Sequence, residues 1–151
     1  MTITYRDAIS LDLPVLVSME RLLFVDSPWS MGQFKEEFSG VPKTRKFLVA
    51  QNSAHQIIGY AAALVVSAGV ESDVLTVAVD PAYRSAGVGS TFMQLLEQWA
   101  RDKQASAMML EVGVENVPAI TLYEKLGYLH ISRRANYYGP GLDALVMRKE
   151  L

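Results

Sequence analysis

The chain has 151 residues, a formal charge of -2 and no cysteine; half of it is hydrophobic and 20% charged. This is the composition of one globular domain, and it excludes a disulfide scaffold, a thiolate zinc site and a cysteine nucleophile. With His55 and His130 the only histidines, and 14 Lys plus Arg against 16 Asp plus Glu, a multi-histidine metal site, a His-based triad and a dedicated nucleic-acid surface are all disfavoured.

No basic-then-apolar leader opens the sequence. The longest apolar run, residues 57–70, is broken by Gly59, Ser67 and Gly69 and falls short of the roughly 20 residues a membrane span needs. A soluble cytoplasmic domain is expected.

In chain order, residues 2–6 read as a short strand. Asp12 is placed to cap a helix over 13–24, with Pro14 in its first turn. Leu13, Leu16, Val17, Leu23 and Phe24 recur at helical spacing, and Glu20 interrupts the stripe. Ser30 caps a second helix over 31–38. A hairpin of strands 46–51 and 56–67 turns at Asn52-Ser53-Ala54-His55, and 71–79 forms a further strand.

The period then changes. A helix runs from Gly87 to about Lys103, with Val88, Phe92, Leu95, Leu96 and Trp99 as its expected buried stripe. Strand 107–112 and helix 117–126 follow, the helix started by Asn116 and Pro118 and stopped by Gly127. Strands 129–134 and 142–149 flank a loop over 135–141. The fold class is α/β: a central mixed, mostly antiparallel sheet of about seven strands flanked by about four helices.

Two stretches carry chemistry. In Val77-Ala78-Val79-Asp80-Pro81-Ala82-Tyr83-Arg84-Ser85-Ala86-Gly87-Val88-Gly89-Ser90 a strand leads into a glycine-rich helix start. Free N–H groups and the helix dipole make such a turn an anion site, and glycine lets backbone approach a ligand. The same two glycines also serve close strand-to-helix packing. No Gly-Lys-Ser/Thr follows, and the third glycine of a dinucleotide fingerprint would fall at Phe92. In the second stretch, Glu111 stands in the apolar strand Leu110-Glu111-Val112, where partial desolvation would raise its pKa and make it a better base. Taken alone, the position favours a side chain pointing to solvent from a one-sided strand. Asn116 suits an N-cap as well as a ligand contact, and Tyr123 suits core packing as well as chemistry.

Together these stretches resemble the GNAT superfamily of N-acetyltransferases. Its acetyl-CoA motif, Gln/Arg-x-x-Gly-x-Gly/Ala, is matched by Arg84-Ser85-Ala86-Gly87-Val88-Gly89 at the head of an amphipathic helix. Ser27-Pro28-Trp29-Ser30 with Phe34, the Val77–Pro81 strand end, Leu110-Glu111-Val112 with Asn116 to Gly127, and Arg133-Arg134-x-Asn136-Tyr137-Tyr138 resemble the branch acting on ribosomal-protein N-terminal alanine.

The resemblance implies acetyl-CoA as co-substrate, no metal, and a protein or peptide N-terminus as acceptor. It implies Glu111 as proton acceptor, Tyr123 as proton donor and Asn116 as an acetyl-CoA contact. Val77, Ala78 and Val79 match the strand that pairs with the pantetheine arm, and Ser85, Ala86, Gly87, Val88, Gly89 and Ser90 the pyrophosphate loop after Arg84. Trp29, Tyr137 and Tyr138 are expected to wall the acceptor groove. Ser85, Ala86 and Ser90 stand where relatives often have basic residues, and Gly113 where an arginine is common. Acetylation of a small amine or a lysine, and a silent acetyl-CoA-binding module, are the alternative readings.

Overall fold

The computed structural model describes residues 2–151. Runs rich in Val, Ala, Ile and Leu, broken by turn residues, give strands β1 (Thr4–Asp7), β2 (Arg45–Gln51), β3 (Ile57–Leu64), β4 (Ser72–Val79), β5 (Ala107–Gly113), β6 (Leu129–Arg134) and β7 (Ala144–Glu150). They form one sheet in the order β1-β2-β3-β4-β5-β7-β6. Every neighbouring pair is antiparallel except β4 with β5. Among the described residues four α-helices accompany it: α1 (Leu13–Leu23), α2 (Met31–Phe38), α3 (Val88–Asp102) and α4 (Val117–Lys125). The mixed, mostly antiparallel sheet is as the sequence predicts.

Side chains of a strand alternate between faces, and both faces of this sheet are covered. Phe47, Val49, Tyr60 and Ala62 pack under α1 and α2 with Leu16, Val17 and Phe34. Leu48, Ala50, Ala61 and Ala63 pack on the other side with Val88, Phe92, Met93 and Leu96 of α3 and Tyr123 of α4. Two-sided burial explains why β2 and β3 read as continuous apolar runs.

Several local expectations are corrected. Asp12 does not cap α1; its carboxylate accepts the Ile9 N–H at 2.8 Å and the Arg6 guanidinium at 2.8 and 2.9 Å, closing a 3-10 turn at Ser10–Asp12 ahead of the helix. β3 stops at Leu64 rather than at residue 67; Val65 donates one last bond to the Thr44 carbonyl, and the chain turns at Gly69. On α3, Leu95 is exposed and Trp99 half-buried, while Met93, Glu97 and Ala100 face the core. The stripe is rotated because Glu97 is held inside by the Tyr128 hydroxyl and the Lys149 ammonium, each at 2.8 Å. No helix among the described residues is long and apolar enough to cross a membrane.

Candidate active site

β4 and β5 bond only where Ser72 and Asp73 face Met108 and Met109. Beyond that point β4 stays with β3, pairing Val77, Ala78 and Val79 with Ala61, Tyr60 and Gly59, while β5 stays with β7. The strands part, and the edge of β4 that faces β5 is left without a strand partner. A cavity of about 360 Å³ occupies the fork. Glu111, Tyr123, Asn116, Val77, Trp29 and Tyr138 all line it, so these residues from separate stretches meet in one place.

Glu111 projects from β5 with its side chain 23% exposed and its carboxylate 3.3 Å from Arg134 of β6. The desolvated carboxylate expected from its apolar strand is thus an ion-paired one at the cavity wall. The Arg134 guanidinium also lies 4.4 Å over the Tyr137 ring, which meets Tyr138 edge-on at 4.9 Å. Asp73, on β4, has its pKa raised by burial and then by the negative charges of Glu111 and Glu71.

Tyr123 is carried inward by α4, whose start is fixed by the Asn116 side chain accepting the Ala119 N–H at 3.3 Å. Its ring packs edge-on against Tyr128 at 5.9 Å. Burial pushes the Tyr123 phenol up to about 12, so it is a neutral hydroxyl across the physiological range. Asn116 keeps its side-chain amide donors in addition to the capping role.

The remaining candidates lie outside the cavity lining. Ala78 is buried in the core under α1 and α2, and Val79 packs on the opposite side; what they offer a ligand is backbone. Tyr137 is 43% exposed and does not line the cavity. Arg84, Ser85, Ala86 and Gly87 form an exposed turn, a 3-10 segment Pro81–Ala86 ending in left-handed Gly87 (φ +75°). Val88 is fully buried, so only its N–H belongs to the loop; Gly89 and Ser90 follow in the first turn of α3.

The two glycines separate in role. A Cβ at Gly87 would meet nothing within 4 Å, whereas one at Gly89 would stand 3.0 Å from Leu122 Cδ2. Gly87 leaves open space above free helix N–H groups, and Gly89 lets α3 approach α4. An exposed amide turn and an unpaired strand edge fit a ligand with a diphosphate and an amide-bearing arm.

Glu20 was missed by periodicity. It lines the cavity, is 2% exposed, and accepts the Tyr60 hydroxyl and the Trp29 N–H. The available signal was an acidic residue at a core position of an apolar stripe, which requires buried partners.

The acetyltransferase (GNAT) family profile matches residues 16–128, and the chain belongs to that family. It is 32% identical over 136 residues to N-alpha-acetyltransferase RimI of Mycobacterium tuberculosis, covering 87% of this chain and 82% of that protein. It superposes on the crystal structure of the ribosomal-protein-S18-alanine N-acetyltransferase from Escherichia coli with a TM-score of 0.85 and 26% identity, covering 99% of this chain and 94% of the other. It is also 36% identical over 128 residues to an uncharacterized Mycobacterium leprae protein, and there it spans only 34% of that protein's length.

Proposed function

We propose that the protein transfers the acetyl group of acetyl-CoA to the N-terminal α-amino group of a protein, a ribosomal protein beginning with alanine being the model acceptor. The observation that carries this reading is the convergence of Glu111 and Tyr123 on one cavity at the β4–β5 fork. Relatives named for N-terminal alanine and N-alpha acetylation support the choice of acceptor.

Amides at Gly87, Val88, Gly89 and Ser90, with Arg84 alongside, would hold the diphosphate, and the free edge of β4 at Val77, Ala78 and Val79 would take the pantetheine amides. Asn116 would steady the arm near the reacting end. Bound acetyl-CoA supplies a thioester, hence an acyl group and a thiolate leaving group.

Glu111 takes a proton from the incoming ammonium. An N-terminal amine has a pKa near 7.7–8.0 against about 10.4 for lysine, so freeing it costs about 3.5 kcal/mol less. That difference matches a carboxylate base better to an N-terminus than to a lysine. The freed amine then attacks the thioester carbon. As the carbon–nitrogen bond forms and the carbon–sulfur bond breaks, Tyr123, protonated throughout the working range, donates its hydroxyl proton to the departing sulfur, and the second proton shed by the amine nitrogen restores the phenol. Trp29 and Tyr138 wall the acceptor side, and Tyr137, outside the cavity lining, packs edge-on against Tyr138.

Mass spectrometry of peptides incubated with acetyl-CoA tests this. Peptides with a free N-terminal alanine should gain one acetyl group at the α-nitrogen, and the same peptides with a blocked N-terminus and an internal lysine should not. Equal acetylation of the blocked peptides would overturn the assignment.

A further inference from the structure

We propose that Glu20 is a positioning residue that sets the acceptor wall of the cavity against Glu111. The inference rests on the acetyl-transfer reading above. Glu20 lies on the buried face of α1, and its two carboxylate oxygens are divided between two elements. Oε1 accepts the hydroxyl of the fully buried Tyr60 on β3, and Oε2 accepts the Trp29 N–H at 3.0 Å.

Burial raises the pKa of Glu20, and both hydrogen bonds act against that shift. A carboxylate so far from water costs stability on its own, so its presence calls for a reason in what it holds.

What it holds is the connection between α1 and α2. From Val25 to Pro28 this segment makes no backbone hydrogen bond among the described residues. The Ser30 N–H is bonded within its own helix cap, to Gln33 at 2.8 Å. The Trp29 N–H is therefore the hydrogen bond that ties the segment to α1 and, through Glu20, to Tyr60 of β3.

Ring contacts complete a closed circuit. Trp29 packs edge-on to Phe34 at 5.1 Å, Phe34 to Tyr60 at 5.9 Å, and Tyr60 returns to Glu20. Asp26, Ser27 and Trp29 of the tethered segment line the same cavity as Glu111. Releasing the tether changes the wall that an acceptor meets and leaves the amide turn at Gly87 untouched.

Glutamine can keep the circuit without the charge. Its amide oxygen accepts the Trp29 N–H, and its amide nitrogen donates to a Tyr60 hydroxyl turned to accept. Methionine keeps the bulk and loses both bonds. Steady-state kinetics of Glu20→Gln and Glu20→Met, with a peptide acceptor and acetyl-CoA varied separately, test the proposal.

Glu20→Met should raise the peptide KM on the order of tenfold or more and leave the KM for acetyl-CoA in place, and Glu20→Gln should hold the peptide KM within about threefold. Chymotrypsin cleavage after Phe24 or Trp29 should quicken in the methionine variant only. Calorimetric binding of acetyl-CoA verifies that each variant is folded. Should Glu20→Met fail that check, the double variant Glu20→Met/Tyr60→Phe, which also loses both bonds but leaves no buried hydroxyl without a partner, takes its place.

A glutamine variant as impaired as the methionine one would mean that the charge acts on the acceptor itself, and would overturn the proposal. So would a methionine variant with both KM values and its proteolysis unchanged. Absence of turnover by the wild-type protein would fail the acetyl-transfer reading alone, because the proteolysis contrast needs no reaction.

Discussion

Replacing Gly87 separates backbone conformation from ligand contact. At φ +75° this residue sits in the left-handed region, which costs an ordinary L-residue about 1–2 kcal/mol. For a domain of this length each kcal/mol lowers the melting temperature by about 2–4 °C, so Gly87→Ala should melt about 2–8 °C lower. Gly87→Asn should lose less, because asparagine tolerates this conformation. No protein atom lies within 4 Å of the new Cβ, so neither variant has a steric reason to unfold. If the turn cradles a diphosphate, the added side chain enters the space the phosphates need. Isothermal titration should then show acetyl-CoA affinity reduced on the order of tenfold or more, equivalent to about 1.4 kcal/mol, in both variants. Wild-type affinity in Gly87→Asn, together with the lowered melting temperature in Gly87→Ala, would leave Gly87 a purely conformational role and refute the cradle.

Tyr123→Phe keeps the ring edge-on to Tyr128 and removes only the hydroxyl, so folding should hold while kcat falls by about 10²–10⁴, the range for lost proton transfer; an unchanged kcat would return Tyr123 to packing. Because burial lifts that phenol to about 12, wild-type kcat should show no loss from its ionisation as pH rises from 7 to 10. Glu111→Gln should lower kcat/KM most below about pH 8, where the amine is protonated, and the defect should shrink above it; a defect independent of pH would argue against a base. The hydrogen bonds from Arg6 hold the Asp12 carboxyl below the usual carboxylate range. Its stabilisation is present above about pH 4 and fades as pH falls below it. Asp12→Asn should therefore melt lower at pH 7 and lose less on acidification to about pH 2.

The architecture was legible wherever a local pattern carried the information. Continuous apolar runs gave β2 and β3, and Ser30 gave the start of α2, where the structure adds Gln33 as its partner in a capping box. Partners distant in the chain were not legible. Glu97 breaks the expected stripe of α3 because Tyr128 and Lys149 reach it from 31 and 52 residues away. Glu20 looked like an interruption of α1 because Tyr60 stands 40 residues on. Within the site, Glu111 and Tyr123 were singled out through the resemblance to the acetyltransferase superfamily, and the structure brings both to one cavity. The Arg134 ion pair depends on the register of β6 with β7, and the fork on where β4 and β5 cease to bond. Neither is encoded by periodicity. The division of labour between Gly87 and Gly89 likewise rests on what surrounds each Cβ position.

The early parting of β4 and β5 has a consequence for the protein's persistence. A sheet split at its centre has an interior seam whose amides and carbonyls must be served by solvent until something with amides of its own lies along it. Occupancy of the seam and stability of the native state are then linked equilibria. An occupant at a hundred times its dissociation constant adds about 2.7 kcal/mol, or about 5–11 °C of thermal shift for a chain this long. An acyl donor lying along that edge would therefore reveal itself as a thermal shift of this size, and a melting temperature unmoved by saturating acetyl-CoA would count against such a seat.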